Sequence, residues 1–248
     1  MTKIIINSDD FGYLPSVNYG IIDAYKNGPV SSTTIMANMP GFNHAVDLAK
    51  DNPGLAIGLH LTISTGQPLT KINQGFLDER GYFKRRSAYF NDEEESILVP
   101  WMNSLEVYRE WKAQIDRALE AGLNISHIDS HHHIHFHRDF KPIAKKIAEE
   151  YKLDLRDEND KVDYFDRYFD EVISSKKMDY MLLEKRLESL SSYEVVEIIC
   201  HPAYLSKELL ESSSFNMERM YELATLTDKR FKEILDKYNF EIVSYRDL

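Results

Sequence analysis

The feature that most constrains this chain is a repeated unit: a short apolar run that ends in a polar residue and then gives way to a helical pattern. Residues 3–8 lead into Asp9 and Asp10, 32–37 into Asn38, 55–59 into His60, and 125–128 into Asp129 and the histidines beyond. Residues 153–155 end at Arg156, 195–200 at His201, and 240–244 form a last run. Helical spacing of apolar residues occupies 17–26, 43–50, 105–121, 140–151, 217–223 and 229–238. Strands alternating with helices of this length build βαβ units and a mainly parallel sheet. Seven strands are visible, and an eighth is expected within 163–185. With 248 residues and no linker, the expectation is one domain over 1–248, a distorted (β/α) barrel with mainly parallel strands. An open doubly wound sheet is the runner-up. Either architecture carries its site at the C-terminal strand ends, where the polar residues fall.

Composition narrows the function. With 41 acidic against 30 basic side chains the net charge is −11, which argues against a nucleic-acid partner held through its phosphates. No apolar run reaches the roughly 18 to 20 residues of a membrane-spanning helix. The apolar start, Ile4-Ile5-Ile6, falls short of a signal-peptide core, and the single cysteine, Cys200, forms no internal disulfide. The expectation is a cytoplasmic protein without a membrane partner, with Cys200 a small buried hydrophobe.

Six of the nine histidines lie between His127 and His137, in the middle of the chain and so unlike an expression tag. Imidazoles gathered at a strand end suit a divalent metal, although one ion takes only two or three of them. If the strand continued, residues 127, 129, 131 and 133 would share one face. Asp9 and Asp10 would point to different sides, one to hold a metal and the other to face a water, and mutual repulsion would raise one pKa. Their alternative is helix capping. His60 stands in an apolar strand, where core packing competes with a ligand role. One Asp with two His leaves coordination positions open for water and substrate. His201, before Pro202, suits proton donation to a leaving group, or a structural hydrogen bond near Tyr204. Arg156 suits holding a carboxylate such as Asp9, contacting substrate, or an ordinary surface ion pair. Phe11, Tyr13 and Trp101 are candidates to stack on a sugar ring.

Taken together, Asn7-Ser8-Asp9-Asp10-Phe11-Gly12, the 32–38 segment, Gly58-Leu59-His60-Leu61, Gly66-Gln67-Pro68-Leu69, the 127–135 histidine motif and Cys200-His201-Pro202-Ala203 resemble the YdjC-like carbohydrate deacetylases, which include chitooligosaccharide deacetylases. The resemblance implies a barrel related to that of polysaccharide deacetylases and hydrolysis of an N-acetyl group from an acetylated sugar or oligosaccharide. It implies that Asp10, His60 and His131 hold one divalent metal ion, with Asp9 as general base and His201 as general acid. It implies Mg²⁺ and a homodimer. The ligand types instead favour Zn²⁺, Co²⁺ or Mn²⁺.

Residues 64–103 fall outside the strand–helix rhythm. Turn formers fill 64–83, and 84–103 has no period, so the stretch reads as a lid, a substrate wall or a surface excursion. The sequence departs from the family pattern mainly at 84–103 and 157–180. Two other functions stay open: a different metal hydrolase such as a phosphoesterase, and a non-enzymatic His-rich metal-binding protein.

Overall fold

The computed structural model describes residues 1–89, 104–165, 168, 169, 172–174 and 177–248. Its strands are β1 (Thr2–Phe11), β2 (Ser32–Ile35), β3 (Ala56–Leu61), β4 (Ile125–Ser130), β5 (Asp154–Leu155), β6 (Asp163–Phe165), β7 (Ile173–Ser174), β8 (Lys177–Met178), β9 (Val195–Cys200) and β10 (Phe240–Ile242). The helices are α1 (Pro15–Asn27), α2 (Phe42–Asp51), α3 (Ser104–Glu120), α4 (Lys141–Tyr151), α5 (Tyr180–Leu190), α6 (Lys207–Ser212), α7 (Met217–Leu226) and α8 (Lys229–Lys237). Asp179, Ser206 and Asp228 cap the helices that follow them, each cap contributing about 1 kcal/mol.

Eight strands form one sheet in the order β5-β4-β3-β2-β1-β9-β6, every ladder parallel, and β10 also pairs β1. β10 borders β1 at Thr2–Ile4 and β2 borders it from Asn7 onward, while β9 pairs β1 from Lys3 to Ser8. β7 and β8 make a separate two-residue antiparallel pair. The expected eighth strand is β6, inside the 163–185 window. The C-terminal part of that window belongs instead to α5, whose Leu183, Leu187 and Leu190 are buried at helical spacing. Helix α6 had no reading in the sequence.

The sheet curls, which rules out the open doubly wound alternative. In a flat sheet β5 and β9 would lie about 24 Å apart, five strand spacings of about 4.8 Å. Yet the side chain of Arg156, directly after β5, bonds both Asp9 on β1 and Glu197 on β9. Tyr245, after β10, likewise reaches Glu197 and stacks on His127 of β4, the rings 3.8 Å apart and within 8° of parallel. No ladder joins β5 to β6 among the described residues, so the barrel is distorted and incompletely closed.

The pleat sorts β1 between two cores. Ile4 and Ile6 face the main core between sheet and helices, and Ile5 joins a small inner cluster with Val195, Val243 and Tyr245. That cluster floors the barrel, and above it the interior turns ionic. Gly58 makes room there: a Cβ would lie 2.4 Å from the His127 ring.

Part of the 64–103 stretch is packed rather than loose. Phe76, Phe83 and Tyr89 are buried, and the Glu110 carboxylate on α3 accepts from the Leu69 and Thr70 amides at 2.8–3.0 Å. The remainder of the proposed lid, 90–103 with Trp101, lies outside the described residues.

Candidate active site

Register assembles the site. Ser8 pairs Thr33 and Phe11 pairs Ile35, so Asp9 and Asp10 together oppose Thr34: a bulge. At the bulge Asp10 adopts φ 71° and turns away from Asp9. Beyond the Ser8–Cys200 pair, the next position on β9 is His201. His60 pairs Asp129 across β3 and β4. Arg156 follows the Ile128–Leu155 pair and donates its amide to Ile128 at 2.9 Å.

The histidine strand stops at Ser130. His132 and His133 take φ of 58° and 53°, breaking the extended backbone, so residues 127, 129, 131 and 133 do not share one face. His127 and Asp129 point into the barrel, whereas His131 sits on the turn. The other histidines have separate engagements: His132 with Ser64 at 2.8 Å, His135 with Ser130 at 2.6 Å, and His133 against Phe136 and Tyr164.

Asp10, His60 and His131 converge. Asp10 Oδ1 lies 3.3 Å from His60 Nε2 and 2.9 Å from His131 Nδ1. His60 Nδ1 donates to Asp129 Oδ1 at 2.6 Å, which leaves Nε2 as the nitrogen that faces the Asp10 carboxylate. Asp10 Oδ1 is buried, and the two imidazole nitrogens are the groups that face it. The three ligand atoms all lie within 4.8 Å of one another, close enough for one ion with bonds of about 2.1 Å, so the residues fit a divalent metal. Burial opposes a proton on His60, but Asp129 and Asp9 outweigh it and lift the pKa to about 10. A field that favours a proton there favours a cation.

Asp9 belongs to a different group. Arg156, 1% exposed, donates to Asp9 Oδ2 and Oδ1 at 3.0 and 2.9 Å and to Glu197 Oε1 at 2.8 Å, and forms an ion pair with Asp129 Oδ2 at 2.6 Å. Arg156 is therefore no surface pair. A second triad, Asp9, His60 and Asp129, also has ligand-like spacing, but the guanidinium already supplies its cation. Asn7 donates to Asp9 Oδ1 at 2.9 Å, and the Tyr245 hydroxyl donates to Glu197 Oε2 at 2.6 Å.

The expected upward pKa shift of one aspartate is not found. Burial pushes both carboxyls up, but Arg156 and His60 hold Asp9 well below the usual range, and His131 and Arg219 do the same for Asp10. Neither caps α1, whose N-cap is Leu14.

His201 lines the same cavity, with a quarter of its side chain exposed. Burial of the rest pushes its pKa down to about 4, so the ring is neutral at rest. Its amide donates to Glu222, and Tyr204 bonds Asp23 rather than His201. Cys200 is buried, as expected. Phe11 is fully buried and cannot meet a sugar, whereas Tyr13, Phe136, Tyr164 and Phe215 line the cavity. The cavity holds about 1260 Å³, above the roughly 300–1,000 Å³ of common small-molecule pockets.

Sequence reading gave Asp129 no role and missed Glu197, Arg219, Glu222 and Tyr245. An acidic residue within the apolar run 195–200 was the available signal for Glu197.

Residues 3–237 match the family model described as YdjC-like protein. Among curated relatives, a carbohydrate deacetylase of Brevibacillus brevis is 36% identical over 99% of both chains. One from Listeria monocytogenes serotype 4a is 38% identical over 99% of this chain and all of its own. A crystal structure from Enterococcus faecalis V583, of a protein named for cellobiose-phosphate cleavage, superposes with a TM-score of 0.82 at 31% identity, covering 99% of this chain and 98% of that one. A family 4 carbohydrate esterase from Streptomyces lividans shares the fold at TM-score 0.54 and 10% identity, over 99% of this chain and 94% of its own.

Proposed function

The chain belongs to the YdjC-like family, and from that premise we propose that it is a metal-dependent carbohydrate deacetylase that hydrolyses the N-acetyl group of a chitooligosaccharide-like sugar. The observation that carries the reading is the single buried Asp10 oxygen faced by two imidazole nitrogens, at the floor of a cavity that Asp9 and His201 also line. One carboxylate and two imidazoles are a donor set for Zn²⁺, Co²⁺ or Mn²⁺, whereas Mg²⁺, expected from the family, prefers oxygen throughout. What a divalent cation supplies when bound is polarisation of the acetamide carbonyl and a lowered pKa for the attacking water.

The protein's own groups do the rest. Asp129 fixes the His60 tautomer, so that Nε2 is always the nitrogen offered to the site. Asp9 stays ionised, held by Arg156 in one orientation, and accepts the water's proton as the attack develops. His201, neutral at rest, takes up a proton during turnover and passes it to the departing amine. The aromatic side chains Tyr13, Tyr164 and Phe215 supply faces for sugar rings, and the cavity has room for more than one ring.

Acetate release from N,N′-diacetylchitobiose tests the reading, with chelated protein and with Mg²⁺, Mn²⁺, Co²⁺ or Zn²⁺ restored in turn. Release that returns with metal is expected. Preferential cleavage of phosphate esters would replace the reaction, and several loosely held ions with no acetate release would indicate a metal buffer instead.

A further inference from the structure

Helix α7 brings two charged residues into the site from outside the sheet. Arg219 is 3% exposed and Glu222 is 2% exposed, and the two are three residues apart on one helix face. Glu222 accepts the backbone N–H of His201, at the end of β9. Arg219 Nη2 donates to Asp10 Oδ2 at 2.5 Å, at the end of β1. The arginine is anchored behind that contact: Nε donates to the Phe215 carbonyl at 2.8 Å, and its own carbonyl accepts from Ala203 at 3.2 Å.

The division of labour at Asp10 follows from this geometry. Oδ2 is committed to a guanidinium and Oδ1 is left to face His60 and His131. A carboxylate not held in this way can rotate and offer both oxygens to an ion. We propose that Arg219 is a positioning residue for the metal centre, restricting Asp10 to one ligating oxygen and aiming that oxygen between the two imidazoles.

The inference rests on the metal site proposed above. It also says which of two opposed effects prevails. A cation next to a ligand repels a second cation, whereas an oriented ligand costs less to organise on binding. Hydrogen-bond partners behind ligating groups are typically worth 10- to 100-fold in metal affinity, so orientation outweighs repulsion.

The experiment measures affinity for Zn²⁺ alone, by competition with a chelator, together with the visible absorption of the Co²⁺-loaded protein. The parent chain, His60→Ala, Arg219→Met, Arg219→Lys and Glu222→Ala are compared. The expected result is one ion per parent chain, its binding abolished by His60→Ala and weakened about 10- to 100-fold by Arg219→Met. Arg219→Lys is expected to recover part of that loss, because it keeps a donor without the fork. The Co²⁺ band of Arg219→Met is expected to weaken as Asp10 adds its second oxygen and coordination rises. Glu222→Ala, which removes an equally buried charge from the same helix, is expected to leave Zn²⁺ affinity within threefold of the parent. Were α7 only a structural support, the Arg219 and Glu222 variants would lose affinity together. Unchanged or tighter Zn²⁺ binding with an unaltered Co²⁺ band in Arg219→Met overturns the proposal while leaving the metal site intact. Should Arg219→Met fail to fold, Arg219→Lys decides alone: parental affinity and an unaltered band overturn the proposal. A parent that binds no ion, or whose ion is indifferent to His60→Ala, removes the metal site and the proposal with it.

Discussion

Asp9 and Asp10 are neighbours in sequence, equally buried and chemically identical, yet they sit in two unlike regions. Around Asp9 the charges close on one another: Arg156 meets Asp9, Asp129 and Glu197, and Tyr245 completes the set from below. Around Asp10 the set stays open, with one oxygen on Arg219 and the other facing two imidazole nitrogens at the cavity. The bulge makes the comparison possible, since in a regular strand the two side chains would alternate across the sheet and only one would reach the site. What a buried carboxylate can do is thus decided by how many of its oxygens the chain's own cations occupy, two on Asp9 and one on Asp10.

Exchanging the two for Asn should separate the regions most sharply. Asp10→Asn is expected to empty the metal site, as measured by bound metal after desalting. Asp9→Asn is expected to retain the ion and to lower kcat by about 10²- to 10⁴-fold. Equal metal loss in both would place Asp9 among the ligands and erase the contrast.

Removing the cation that closes the inner group comes next. Arg156→Met leaves Asp9, Asp129 and Glu197 buried together, at a cost of about 3–5 kcal/mol in denaturant unfolding at pH 7. Its pH dependence should invert. In the parent, the pKa of Asp9 is depressed, so its contribution is present above the unfolded value of 3.8 and is lost as pH falls below that value. In the variant the unpaired carboxyls would have raised values, and the deficit should shrink as pH is lowered from 8 toward 5. A deficit constant across that range would contradict charge compensation as the role of Arg156.

Two buried histidines give a gentler slope. Burial, followed by the Arg156 charge, holds His127 and His135 well below 6.5. The unfolded chain therefore binds more protons below about pH 6.5, and stability is full above that pH and falls beneath it. Each such histidine contributes up to about 1.4 kcal/mol per pH unit, so His135→Gln should flatten the decline between pH 6 and 5 by about that much. An effect of similar size is expected at the far end of the inner group. Tyr245→Phe removes one hydrogen bond to a carboxylate, about 1.5 kcal/mol of stability, while bound metal stays at the parental level. Loss of the ion in that variant would show that the two regions are not separate.

The sheet was legible in the sequence because parallel strands buried on both faces read as continuous apolar runs, such as 195–200. The ends of those runs located Asp9, Asp10, His60 and His201, and family resemblance singled out His131. One long-range pair, Arg156 with Asp9 across 147 positions, was among the alternatives the strand ends offered. What was hidden also arises between distant parts of the chain: Arg219 meets Asp10 across 209 positions, and Tyr245 meets Glu197 across 48. On its own helix Arg219 follows the pattern of a solvated residue. The turn at His132 and His133 carries no glycine or proline to announce it.

The shared edge of β1 has a consequence for how the molecule comes into being. Thr2 pairs Phe240, a contact spanning nearly the whole length of the sequence. A nascent chain can form the β1–β2–β3–β4 stretch early, but the barrel floor stays unsealed until residues 240–245 have left the ribosome. Contacts of such long separation slow folding, because loop-closure entropy must be overcome before they form. Until Tyr245 seats itself under Glu197, the reaction chamber has walls without a base, and β10 completes the strand it borders, β1.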